Sequence, residues 1–212
     1  MKLPNSPACE NNKRPILLVL ERVFKDCASV LEIGSGTGQH AVYLAPRLGP
    51  DLVWQTSDLA ENHPGINAWI EAFPSDNMRA PLVLDVDEPE WPVSAPVDAV
   101  FTANTCHIMA WASVENMFSR LAETVIENGL LAIYGPFNYN NEYTSESNAR
   151  FDVWLKERGA HQGIRDFEAI SALAEQAGFK LLEDNAMPAN NRLLVWQKHR
   201  PAAGKRATIG KS

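Results

Sequence analysis

The stretch "VLEIGSGTGQH", residues 30 to 40, limits the fold of this chain more than any other. A short apolar run carries Glu32 near its end, and three glycines follow at alternate positions, Gly34, Gly36 and Gly38. The spacing then turns helical in "QHAVYLAPRLG", with Ala41, Leu44, Ala45 and Leu48 on one face and Gly49 as the stop. A buried strand that passes through glycines into a helix is the opening unit of an open α/β sheet. Glycines there let the backbone turn tightly and come close to a bound molecule. In such sheets ligands sit outside the carboxyl ends of the strands, where the strand order reverses.

The rest of the chain keeps this alternation. "PILLVLERVFKD" reads as a helix with Pro15 at its first position and Ile16, Val19, Leu20 and Val23 on its apolar face. Strands are expected at "SVLEI", "LVWQTS", "APLVLDV", "VDAVFTA" and "LLAIYG". Helices are expected at "PGINAWIEAF" and "SVENMFSRLAETVIENG", the second running to Gly129. Pro46 should bend or shorten its helix. The polar segment "PFNYNNEYTSESNAR" precedes a helix around "FDVWLKERG", and Asp166 should cap "DFEAISALAEQAG". Two strands close the chain, "FKLLEDNAM" and "RLLVWQKH", joined by "PANN".

Strands alternating with helices predict a parallel sheet covered on both faces. The closing link is too short for a crossover, so the last strand must run antiparallel to its neighbour. The expected architecture is a Rossmann-like, seven-stranded, mostly parallel sheet with helices on both faces. It forms one domain over residues 1–199, and residues 200–212 are a disordered basic tail.

Composition excludes several partners. The 19 basic and 26 acidic residues leave a net charge of −7, which argues against a bare nucleic-acid backbone. Cys9, Cys27 and Cys106 form no CxxC pair, so neither a disulfide framework nor a metal site is expected. The N-terminal "MKLPNSPACENNKRP" lacks the apolar centre of a signal peptide, and no apolar run approaches membrane-spanning length. A cytoplasmic protein without a membrane partner is expected.

Two ligand types compete for the glycine loop. A dinucleotide asks for G-x-G-x-x-G, with its pyrophosphate at the helix N-terminus. This chain reads G-x-G-x-G, preceded by Glu32. An anion there would repel a pyrophosphate and suit a ligand with an amino group and no phosphates, such as S-adenosylmethionine. The motif E-x-G-x-G-x-G after the first strand resembles that of class I S-adenosylmethionine-dependent methyltransferases. Their seven-stranded sheet with an antiparallel last strand matches the element order of nearly the whole chain. More narrowly, "SPACENNKRPIL", "LEIGSGTGQHA", "QTSD", "MPANN" and "LLVWQK" resemble the methyltransferase-like protein 26 family, which brings no established substrate.

The resemblance implies cofactor residues. Glu32, Gly34, Ser35, Gly36 and Gly38 form the loop at the methionine end, with His40 beside it. Asp58 closes the second strand and takes the ribose hydroxyls; Asp85 and Val86 close the third and meet the adenine. Asn104 and Thr105 close the fourth and offer backbone carbonyls. On the acceptor side His107 is the candidate base. Tyr139 and Tyr143 of "NYNNEY", Asn190 and Asn191 of "PANN", and Asn12 and Arg14 of an N-terminal segment folded over the cofactor are candidate substrate contacts. Each has a plainer reading: a helix cap for Asp58, a solvated acid for Asp85, packing for His107, and turn chemistry for the asparagines. A small polar acceptor is expected. The competing functions are a cofactor-binding module without catalysis and a nicotinamide-dependent oxidoreductase.

Overall fold

A computed structural model describes residues 3–199, so the tail expected at 200–212 lies outside the described residues. In chain order the elements are α1 (Pro7–Val23), β1 (Ser29–Ile33), α2 (Gln39–Leu48), β2 (Val53–Asp58), α3 (His63–Ala72), β3 (Met78–Val83), β4 (Val97–Ala103), α4 (Trp111–Thr124) and β5 (Val125–Gly135). They continue with β6 (Phe137–Asn138), α5 (Glu146–Arg158), β7 (Arg165–Asp166), α6 (Phe167–Gln176), β8 (Phe179–Met187) and β9 (Asn191–Lys198).

The main sheet has seven strands in the order β3-β2-β1-β4-β5-β9-β8. The four pairs from β3 to β5 are parallel, while β9 runs antiparallel to both β5 and β8. β1 has β2 on one side and β4 on the other, so the strand order reverses there. The loop after β1 therefore opens onto the crevice where open α/β sheets bind ligands.

Both faces of the central strands are buried, and alternate residues serve opposite cores. Leu31, Ile33, Val100, Leu131 and Ile133 join Val114, Met117, Phe118 and Leu121 of α4 and Ile170 and Ala174 of α6. Val30, Ala99, Phe101 and Ala132 join Ile16, Leu17 and Leu20 of α1 and Ala41, Leu44 and Ala45 of α2. The strands thus read as continuous apolar runs rather than alternating ones.

Several element boundaries differ from the sequence reading; β3 ends at Val83, so Asp85 and Val86 follow the strand instead of closing it. α1 starts at Pro7, and Pro15 lies inside it. Ser6 is the true N-cap and accepts from the Cys9 N–H at 3.5 Å. The buried side chains Asn12, Ile16 and Leu20 recur every fourth residue, and a polar first member concealed the pattern. α4 stops at Thr124, and the residues expected to extend it to Gly129 begin β5 instead. A Cβ on Gly129 would lie 2.8 Å from the Asp98 carbonyl oxygen, so glycine is required by the neighbouring strand and not by a helix stop. α5 begins at Glu146, capped by the Ser145 hydroxyl, which accepts from the Asn148 N–H at 3.1 Å. Pro46 does not shorten α2, which runs to Leu48.

Candidate ligand cavity and its walls

The glycine loop turns at the switch point because two of its glycines have no alternative. Gly34 has φ +70°, and a Cβ there would meet Thr105 Cγ2 at 2.5 Å. Gly38 has φ +88°, and its Cβ would lie 3.0 Å from the Ile66 backbone. A side chain at either position would push the loop away from its neighbours. Around this loop opens a cavity of about 620 Å³. Gly34, Ser35, Gly36, His40, Asp58, Asp85, Val86, Asn104 and Thr105 all line it, so nine of the expected cofactor residues share one wall system.

Asp58 holds the loop in place. One carboxylate oxygen accepts from the Gly36 N–H at 2.6 Å. The other accepts from the Leu59 N–H at 2.8 Å and the Asn62 amide at 2.7 Å. Thr105 bonds to Thr102 at 2.6 Å, and Thr102 donates to the Ile33 carbonyl at 2.8 Å, tying the end of β4 to the end of β1. Asn104 adopts a left-handed φ of 61° while its N–H reaches the Tyr134 carbonyl at 2.8 Å. Asp85 accepts from the Asp87 N–H at 3.0 Å, and Asp87 is held by Ser113 at 2.8 Å and Asn116 at 2.9 Å.

Glu32 and Gly38 lie behind this wall. Glu32 is 1 % exposed and accepts from the Ser35 hydroxyl at 2.8 Å and the Trp54 indole at 3.0 Å. Burial is the main influence on its carboxyl and raises its pKa to about 7. Burial thus works against the charged form that the sequence reading placed here, and through Ser35 Glu32 supports the loop from below. The acids on the cavity wall itself are Asp58, Asp85 and Asp87.

The N-terminal segment reaches the cavity wall through other residues than those expected. Ser6 and Cys9 line it. Asn12 is buried behind them, its Oδ1 2.7 Å from His40 Nε2. Arg14 is exposed and does not line the cavity. The side chain that joins this segment to the loop is Gln39, which sequence reasoning missed. Its buried amide donates to Asn5 at 3.0 Å and Glu10 at 2.7 Å, and it accepts from the Ser6 N–H at 2.5 Å and Thr37 at 3.0 Å. The dipeptide Ser6-Pro7, an N-cap followed by a first-position proline, was the available signal.

The acceptor candidates gather at the right sheet edge but outside the cavity wall. The register pairs Gly135 with Arg192, which puts the 188–190 turn beside the end of β5. His107 is buried with its ring edge against Phe151, centroids 5.5 Å apart, and burial lowers its pKa to about 4. Tyr139 donates to Asp184 at 2.7 Å and Tyr143 to Asp152 at 2.7 Å. The Asn190 amide meets Ser147 at 3.2 Å, and Asn191 donates to the Pro188 carbonyl at 3.1 Å. The tyrosines and asparagines are committed to nearby partners, and neither they nor His107 line the cavity. Ile108, Met109 and Ser113 of the β4 loop line it instead.

A family profile described as "Protein of unknown function (DUF938)" matches residues 3–198. Solved structures share the fold. An O-methyltransferase family protein from Burkholderia thailandensis is 17% identical with a TM-score of 0.78, covering 90% of this chain and 57% of that one. The S-adenosylmethionine-dependent methyltransferase SibL, in its apo form, is 18% identical with a TM-score of 0.75, covering 91% and 56%. Human N-acetylserotonin methyltransferase, in complex with SAM, is 15% identical with a TM-score of 0.74, covering 91% and 53%. The chain spans a little over half the length of these structures.

Proposed function

We propose that this chain, which belongs to the DUF938 family, is an S-adenosylmethionine-dependent methyltransferase acting on a small polar acceptor. One observation carries the reading. The glycine loop, Asp58 and Asp85 stand on one cavity at the ends of three neighbouring strands. The fit is good on this chain's own terms: a Cβ at Gly34 would strike Thr105, so the loop is built to stay close to the β4 end.

In this reading the loop from Gly34 to Gly38 and His40 hold the methionine end. Asp58 takes the ribose hydroxyls, Asp85 and Val86 the adenine, and Asn104 and Thr105 offer carbonyls. The cofactor supplies a methyl group already activated on a sulfonium. What the protein must add is alignment, and orientation of reactants accounts for much of such a rate. His107 is the base this reading assigns to an acceptor that arrives protonated. That role requires the 105–109 loop to move, because His107 does not line the cavity. The acceptor edge, with Tyr139, Tyr143, Asn190 and Asn191 and amide-rich loops, suits a small polar molecule better than a lipid. The likeness of the N-terminal and "MPANN" segments to the methyltransferase-like protein 26 family supports a narrower kinship, and the three free cysteines support a reducing, cytoplasmic setting.

Incubation with methyl-labelled S-adenosylmethionine and the small-molecule fraction of a cell extract tests the reading. Label should enter a small molecule and should fall with Asp58→Ala. Tight cofactor binding with no transfer to any fraction would favour a binding module instead.

A further inference from the structure

Three side chains from two helices meet at one wall of the cavity. Cys9 Sγ lies 3.7 Å from His40 Nδ1, and His40 Nε2 lies 2.7 Å from Asn12 Oδ1. The asparagine oxygen only accepts, so the hydrogen-bond pattern assigns the ring proton to Nε2 and leaves the Nδ1 lone pair facing the thiol. His40 and Asn12 are each 5 % exposed, and the His40 ring stands edge-on to Phe101 with centroids 6.0 Å apart. The ring is therefore fixed in orientation. Cys9 and His40 both line the cavity.

We infer that Cys9 is a nucleophilic thiol, set up by His40 and Asn12 to react with a soft carbon electrophile that enters the cavity. The inference does not depend on which cofactor the cavity holds. A nucleophile beside a base, with the base oriented by a third group, is the recurrent arrangement for activating a weak nucleophile.

The resting state is neutral. Burial raises the Cys9 pKa, opposed by the Ser6 and Thr37 hydroxyls and reinforced by Glu32 and Glu10. Burial likewise lowers His40 to about 4. The charged and titratable groups facing the pair are Glu10 and Lys13 from α1, Glu32 from β1 and the Tyr134 hydroxyl from β5. A proton-bearing sulfur thus sits beside an empty proton acceptor. With an activated alkene, an S–C bond forms at the alkene carbon while the thiol proton passes to Nδ1. The π pair moves to the carbon next to the carbonyl, which then takes the proton from Nδ1. Nothing is oxidised and no group leaves.

The other two cysteines are internal controls. Asp98 and Asp26 reinforce the burial that drives Cys27 up to about 12, and full burial drives Cys106 up to about 11.

N-ethylmaleimide labelling of the intact native chain, followed by peptide mass mapping, tests the inference. At pH 6.5 Cys9 should label at least about tenfold faster than Cys27 and Cys106, since base assistance contributes factors of this size or more. His40→Gln should remove most of that advantage. It should also make the Cys9 rate fall about tenfold per pH unit below neutrality, as the thiolate fraction does. Equal labelling of Cys9 and Cys27, or an unchanged Cys9 rate in a folded His40→Gln variant, overturns the inference. The comparison of three cysteines within the native chain needs no variant, so a poorly folded one leaves the test decisive.

Discussion

Asp58 carries two duties at once, and both come from its position at the carboxyl end of β2. It closes the strand beside the cavity and it accepts from the Gly36 N–H, the Leu59 N–H and the Asn62 amide. The proposed ribose contacts would be hydrogen bonds to a charged acceptor, worth about 1.5–3 kcal/mol. Asp58→Ala should therefore weaken S-adenosylmethionine binding by roughly ten- to a hundredfold at about 1.4 kcal/mol per decade. Isothermal titration of the folded variant checks this, and an unchanged affinity removes Asp58 from the ligand. The glycines were legible as a strand-to-helix turn, and Asp58 through the family resemblance, which implies an acid at the end of the second strand. The His40–Asn12 pair and the Glu32–Trp54 bond were not, because they join residues 28 and 22 positions apart. Burial also changed Glu32 from an expected anion into a group titrating near neutrality.

At the scale of elements, the start of α1 forms one part of the cavity wall. Ser6 and Cys9 in or beside its first turn line the cavity, and Gln39 at the start of α2 holds that segment through three hydrogen bonds, to Asn5, Ser6 and Glu10. Gln39→Ala would leave buried polar groups without partners, at a cost of about 1–3 kcal/mol. Hydrogen exchange should show residues 6–12 losing protection in this variant while the central strands keep theirs. Uniform loss across the chain, or no change at all, would contradict the role given to Gln39. The beginning of α1 escaped sequence reading because its buried positions there are polar, so it shows no apolar stripe. The start of β5 escaped for a related reason. Val125 and Ile126 follow a strong helical pattern, and the pairing of Val125 opposite Val97 starts the strand there.

For the whole molecule, the parallel run of strands and the antiparallel ending were readable from alternation and one short link, whereas the strand order came from the structure. The balance of buried charge was not readable either. His40 and His107 fall from 6.5 to about 4, while Glu32 rises from 4.5 to about 7. Between pH 4.5 and 6.5 the unfolded chain holds up to two more protons on the histidines, and the folded chain up to one more on Glu32. The net excess lies with the unfolded chain, so stability rises with pH by up to about 1.4 kcal/mol per unit. Around pH 7 the remaining histidine excess of the unfolded chain and the remaining Glu32 excess of the folded chain nearly cancel, so stability should level off there. Glu32→Gln should steepen the acid side and carry the rise on past pH 7 in place of the plateau. Urea titrations at pH 5, 6, 7 and 8 on both proteins read these slopes, and identical curves would contradict the buried, raised Glu32. The central claim is that the cavity beside the glycine loop binds an adenosyl sulfonium cofactor. Calorimetric titration of the unmodified chain with S-adenosylhomocysteine and with NAD tests it most directly. Saturable binding of S-adenosylhomocysteine at one site per chain, with no heat from NAD, is the predicted result; binding of NAD and not of S-adenosylhomocysteine would contradict it.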